Sequence, residues 1–137
     1  MKLLDTSVLV DIDRGGVEKK VARLDEQGRH VISMVSVTEL RLGVELQYEP
    51  DSAAYREAAD ALDRFLSRFE IKPLSRPVAL AAAAIIARLK TEGKPLHDFH
   101  DVYVGATART SQLPILTANV DHFSRIDDVQ VLDWAEF

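Results

Sequence analysis

Short apolar runs alternate along this chain with longer segments in which apolar residues recur every three or four positions, and that alternation predicts its elements. The runs at residues 2–4, 31–35, 70–74, 114–117 and 129–132 read as five strands. The second is β-branched, and the third is of edge type because Pro73 cannot donate to a ladder. Between the first two, Thr6 to Val10 starts a helical segment closed by Arg14, Gly15 and Gly16. Val17, Val21 and Leu24 then mark an amphipathic helix over 17–27 that stops at Gly28. After the second strand, Ser36-Val37-Thr38-Glu39 has the form of a capping box. Glu49-Pro50-Asp51 breaks the chain, and Ala54, Ala58, Leu62, Phe65, Leu66 and Phe69 share one face of a long helix, so residues 38–69 form a helical hairpin. An alanine-rich helix follows from Ser75-Arg76-Pro77 to about Thr91, then a helix over 98–110 and a short helical turn at 119–123.

Strands that alternate with helices, without an Asn-Gly or similar hairpin turn between strands, require crossover connections. The expected fold is α/β: a single domain over residues 1–137, built as a three-layer α/β/α sandwich around a central parallel sheet. In such sheets ligands sit beyond the carboxyl ends of the strands, where helix N-termini converge.

Composition narrows the function classes. With 47% hydrophobic and 28% charged residues, 6 Gly and 5 Pro, the chain can bury an ordinary core. It has no cysteine, which excludes disulfides, thiol catalysis and cysteine zinc sites. Its apolar N-terminal run is interrupted by Asp5 and Asp11, unlike a signal peptide, and the longest apolar run, 78–87, is too short to span a membrane. A cytoplasmic protein without a membrane partner is expected. The net charge of −5 disfavours nucleic-acid binding by bulk attraction, but it is compatible with a hydrolase whose cation supplies local positive charge.

Acids recur where apolar runs give way to helices: Asp5, Glu39, Asp98 and Asp101, and Asp121. Each has a local explanation, as an N-cap, a capping-box member or a solvated turn residue. Together they fall at one edge of the expected sheet, where converging carboxylates repel one another unless a cation lies between them. Carboxylate oxygens suit Mg²⁺ or Mn²⁺, which can promote displacement at a phosphodiester. In the third cluster Asp98 is expected as the N-cap and Asp101 as the residue that reaches the cation.

The segments Leu3-Leu4-Asp5-Thr6-Ser7-Val8-Leu9, Ser36-Val37-Thr38-Glu39-Leu40, Asp101 to Ala108, and Thr117-Ala118-Asn119-Val120-Asp121-His122-Phe123 resemble, in order and over nearly the whole chain, the motifs of PIN-domain ribonucleases, and more narrowly those of VapC toxins. The resemblance implies a metal-dependent endoribonuclease acting on RNA such as transfer or ribosomal RNA, inhibited by a small VapB-type antitoxin encoded beside it and usually homodimeric. It makes Asp5, Glu39 and Asp101 the metal-binding acids and Thr6, Ser7 and Thr117 supporting hydroxyls. The last acid departs from the pattern: many relatives carry it immediately before the phenylalanine, where this chain has His122. Asp121, one residue earlier, is kept as the fourth catalytic and metal-binding acid, with Asn119 as the alternative source of that oxygen.

Arg14, Arg41 and Arg109 are the expected phosphate contacts for RNA. The apolar face of the 38–69 hairpin is the expected seat of an antitoxin helix, whose arginine could enter the acidic site, although core packing or dimerisation would explain the same face. His97-Asp98 and His100-Asp101 also have the form of the His-Asp doublets of all-helical phosphohydrolases, a reading that the strands oppose; both histidines are expected to be loop or cap residues. The alternative from another class is a non-catalytic receiver-like or RNA-binding regulatory module. A receiver needs an aspartate after the third strand, and Lys72-Pro73-Leu74-Ser75 offers none.

Overall fold

The computed structural model describes residues 1–96 and 98–137. Strands β1 (Leu3–Leu4), β2 (Val31–Ser33), β3 (Glu70–Lys72), β4 (Ile115–Thr117) and β5 (Val131–Asp133) form one sheet in the order β3-β2-β1-β4-β5. Every pairing is parallel, as the crossover pattern requires. The chain lays β2 and β3 on one side of β1, then returns to place β4 and β5 on the other. A topological switch point therefore lies between β1 and β4.

The two-residue period of the strands separates the two cores. Leu3, Val31 and Ile115 are in register and face α5 (Arg76–Thr91) and α6 (Phe99–Ser111), joined there by Phe123 and Ile126. Leu4, Ile32 and Leu116 point the other way, toward α1 (Thr6–Arg14), α2 (Glu18–Glu26) and α4 (Ala53–Leu66). The result is the three-layer sandwich expected from the sequence. Helix α3 (Met34–Gln47) gives Val35 to the first core and lays Val37 and Leu40 against the second. Helix α7 (Val120–Phe123) follows β4, and a 3₁₀ turn (Trp134–Glu136) follows β5. Among the described residues no helix is long and apolar enough to cross a membrane.

Two close approaches shape the region around the site. Gly105 lies buried in α6, where an added Cβ would collide with the Ile126 side chain, so the small residue allows α6 to settle against the loop after α7. Trp134 is 2% exposed, and its indole N–H donates to the Asp11 carboxylate at 3.0 Å, tying the C-terminal turn to α1.

The main local correction is at the β2–α3 junction. The strand stops at Ser33 instead of running to Val35, and the Ser33 hydroxyl accepts a bond from the Val35 N–H at 3.1 Å, so Ser33 caps a helix that begins at Met34. Ser36 lies inside that helix, fully buried, and the expected capping box with Glu39 does not form. The side chain of Glu39 is left free for other contacts. Strand β3 ends at Lys72, before the proline, and is an edge strand as expected.

Candidate active site

Asp5 follows the central strand at the switch point. Its backbone continues the ladder by donating to Leu116 O at 3.0 Å and starts α1 by accepting from Val8 N at 3.0 Å. Its side chain makes no capping bond. The carboxylate is instead 3% exposed and accepts at Oδ2 from Ser7 Oγ at 2.8 Å and Thr117 Oγ1 at 2.9 Å. Both donors are positioned in turn, since Ser7 Oγ accepts from Ala118 N and Thr117 Oγ1 from Asn119 N. Among the described residues no hydrogen bond reaches Oδ1, and Asp5 lines a cavity of ≈ 380 Å³.

Glu39 enters the same cavity from the second turn of α3. Its Oε1 accepts from Thr6 Oγ1 at 2.9 Å, and Thr6 Oγ1 lies 2.8 Å from Ser36 Oγ. A hydroxyl has one proton, so with the Thr6 proton committed to Glu39 the Ser36 hydroxyl must donate to Thr6. A half-buried Ser36–Thr6–Glu39 relay therefore fixes the carboxylate, and Ser36 serves the site instead of a helix end.

Asp101 comes from the first turn of α6. Asp98 is the N-cap of that helix, accepting from His100 N at 2.8 Å, while its side chain also lines the cavity rim. Asp101 projects inward beside buried Val104 and Gly105 and is held by His122 Nδ1, 2.8 Å from Oδ2. His100, in the same first turn, stands 3.6 Å from Glu39 Oε2. His97 lies outside the described residues.

The expected residues thus divide. Asp5, Thr6, Ser7, Glu39, Asp101 and Asn119 line one cavity, and Thr117 supports Asp5 from beneath. Asp121 does not join them: it is exposed on α7 and lines a different, larger cavity of ≈ 600 Å³ with Lys94, Ser124 and Arg125. Phe123, 0% exposed, anchors α7 in the core, and with that anchor His122, not Asp121, faces Asp101. The expected arginines are not brought to the cavity wall either. Arg41 is turned to Glu45 and Tyr55, both at 3.0 Å. Arg109 lies two turns along α6, about 12 Å from Asp101 at 1.5 Å per residue, where it donates to the Asp127 carbonyl. Arg14 reaches only the rim, 3.9 Å from Asp11. Asp11 itself lines the cavity and was missed; its place four residues after Ser7 on α1 was the available signal.

The electrostatics follow from this crowding. Burial pushes the Glu39 carboxyl above its ordinary value, and Asp5 and Asp98 add repulsion, while the Thr6 hydroxyl and His100 pull it part of the way back. Burial likewise raises Asp101, with Asp5 and Asp98 repelling and the His122 bond opposing. Carboxylates whose ionised forms are disfavoured by one another and by burial are stabilised by a cation placed among them. The donors are oxygens from carboxylates and hydroxyls, the set that suits Mg²⁺ or Mn²⁺. Among the described residues no three acid or histidine side chains close on a single point as a complete cage. Each carboxylate is drawn aside to its own hydroxyl or imidazole, and Mg²⁺ ordinarily keeps several waters beside one or two carboxylates.

Comparison with known proteins places this arrangement among relatives. A family model described as PIN domain matches residues 2–129. A ribonuclease VapC of Rickettsia bellii is 28% identical over 130 residues, covering 95% of this chain and 93% of the relative. The DNA-bound VapBC structure from Salmonella typhimurium superposes with a TM-score of 0.84 at 26% identity, covering 98% of this chain and 99% of that one. FitAcB from Neisseria gonorrhoeae superposes with a TM-score of 0.81 at 33% identity, covering 96% of both chains.

Proposed function

Because the chain belongs to the PIN domain family, we propose that the Asp5–Glu39–Asp101 cavity is the active centre of a divalent-metal-dependent endoribonuclease, the toxin of a toxin–antitoxin pair. The observation that carries this reading is the delivery of three carboxylates from the N-terminal ends of three helices, α1, α3 and α6, into one cavity, each held by its own donor. Bound there, Mg²⁺ or Mn²⁺ would stabilise the charge that develops on a phosphodiester during displacement. The chain's part is to hold and orient. Ser7 and Thr117 turn Oδ1 of Asp5 toward the cavity, the Ser36–Thr6 relay aims Glu39, and His122 fixes Asp101. Asn119, at the cavity wall, offers an amide oxygen that can complete the donor set.

The antitoxin is proposed to be of VapB type, as the VapBC structure illustrates for that relative. Its seat is the groove between α3 and α4, of ≈ 470 Å³ and lined by Leu40, Val44, Ala58 and Leu62. Val10 lines both this groove and the acidic cavity, so a segment bound in the groove can extend a basic side chain to the carboxylates. Leu42 and Leu46, 50% and 79% exposed on α3, extend the apolar surface available to this partner or to a second copy of the chain.

The test is cleavage of total RNA by purified protein. Internal cuts are expected with Mg²⁺ or Mn²⁺, none in chelator, recovery when the cation is restored, and suppression when the product of the neighbouring reading frame is co-purified. Cleavage that persists in chelator would remove the metal-dependent reading, and no cleavage of any RNA class would remove the nuclease reading.

A further inference from the structure

The acidic cavity presents a problem to a polyanion. Asp5, Asp11, Glu39, Asp98 and Asp101 line it, and among the described residues no lysine or arginine does. A cation among the carboxylates can neutralise the reacting phosphate, but the rest of an RNA strand still needs positive charge nearby. Two features of the structure place that charge. Helix α7 is a single turn with different residues on its two flanks: His122 faces the carboxylates, whereas Asp121 and Ser124 open into the neighbouring ≈ 600 Å³ cavity. That cavity also carries Lys94 and Arg125, on the segment between α5 and α6 and the segment after α7. Arg125 Nη1 lies 3.4 Å from Pro95 O across the cavity, a long contact that places the guanidinium over it. Lys94 and Asp98 both belong to the stretch between α5 and α6, and Asp121 and His122 are neighbours on α7, so on each side the two cavities are lined by residues close together in the chain.

We infer that the Lys94–Ser124–Arg125 cavity is a phosphate subsite for the RNA strand, binding a backbone phosphate next to the one held at the carboxylates. The inference rests on the nuclease reading and deepens it. Two cations and a hydroxyl match the donor requirements of a phosphodiester, and Arg125 offers the planar fork that such oxygens favour. Asp121 is the opposing charge in this subsite, where it weakens anion binding and tunes release, which gives it a role different from metal binding.

The experiment measures binding of a single-stranded RNA oligonucleotide in chelator, in the Asp101→Asn background, across a range of salt concentrations. Each cation engaged with a single strand contributes about 0.7 to the slope of log K against log salt. The added pair Lys94→Ala and Arg125→Ala should therefore lower the slope by about 1.4, whereas the control pair Arg56→Ala and Arg64→Ala, on α4, should leave it unchanged. Adding Asp121→Asn instead should tighten RNA binding several-fold, and Asp121→Asn in the otherwise unchanged protein should leave Mn²⁺ affinity as it was. RNA bound with the same slope in the Lys94/Arg125 variant as in its parent would overturn the subsite alone. RNA that does not bind at all in chelator would overturn the subsite, while the nuclease reading stands or falls separately on cation-dependent cleavage of total RNA. Loss of Mn²⁺ affinity in Asp121→Asn would return that residue to the metal centre and contradict the role assigned to it here.

Discussion

Asp101→Asn should abolish cation-dependent RNA cleavage while leaving the fold intact, and Asp98→Asn should retain most of it. The two aspartates sit three residues apart at the start of α6, yet the structure gives them different work. Asp98 caps the helix through the His100 N–H, a task that asparagine performs as well, and its carboxylate only borders the cavity. Asp101 points inward and is fixed by His122 at 2.8 Å. Removing a group that supports a metal ligand commonly costs 10–100-fold, so loss of a direct ligand should cost more than about 100-fold in rate. Stability should move the other way. The Asp101 carboxyl lies above its ordinary value mainly because of burial, so its ionised form disfavours the metal-free fold. Below the ordinary carboxylate range, about pH 4, the group is protonated folded or unfolded and carries no such penalty. As pH rises through the raised folded value, the metal-free wild type should lose stability relative to Asp101→Asn, and that gap should close when Mn²⁺ is added. Urea unfolding in chelator from pH 4 to 8 reads this difference. A dead Asp98→Asn beside an active Asp101→Asn would show that the two roles are reversed.

The largest effect on stability is expected at the other end of the chain. Trp134 lies beyond the span matched by the family model, yet it is buried in the same core as Leu4, Val8, Leu9 and Leu116. Its ring stacks on Phe137 at 5.8 Å, Lys20 Nζ stands 4.6 Å from its centroid and donates to its carbonyl at 2.6 Å, and its N–H holds Asp11. Truncating a buried tryptophan to alanine removes that packing and leaves a cavity, so Trp134→Ala should cost about 3–5 kcal/mol of unfolding free energy. Trp134→Phe keeps most of the ring and loses the bond to a carboxylate that water can reach, so its hydrogen-bond cost should be about 1 kcal/mol. Denaturant unfolding compares them. An alanine variant within about 1 kcal/mol of wild type would mean that the C-terminal turn does not hold α1, at whose first turn Thr6 and Ser7 contact Glu39 and Asp5.

Much of the fold was legible because central strands covered on both faces read as short continuous apolar runs, distinct from the three- and four-residue spacing of the helices. Leu3 and Leu4 go to opposite cores, as do Val31 and Ile32. Asp5 and Asp101 were legible for a related reason: an acid that ends a buried strand, or opens a buried helix, falls at the sheet's carboxyl edge. The β2–α3 junction was not legible. Ser33 and Ser36 are both competent caps, and what selects Ser33 is the distant Thr6, whose hydroxyl meets Ser36 one turn into the helix. The site roles of His122 and Asp121 were similarly hidden. A four-residue helix has too little length for periodicity, and neighbouring residues differ by about 100°, so only the burial of Phe123 fixes which one faces Asp101. The expected arginines do not line the cavity because proximity in sequence to a site residue says nothing of direction: Arg41 follows Glu39 by two positions and therefore points elsewhere.

The centre is most directly tested by titrating the purified protein with Mn²⁺ and following bound ion by electron paramagnetic resonance. Asp5→Asn, Glu39→Gln and Asp101→Asn should each lose most of the binding seen in wild type, while Asp98→Asn and Asp121→Asn keep it, because only the first three carboxylates enter the cavity as held, inward-facing groups. Wild-type binding that survives all three of those substitutions, or that disappears in Asp121→Asn, would contradict a cation centre built from Asp5, Glu39 and Asp101.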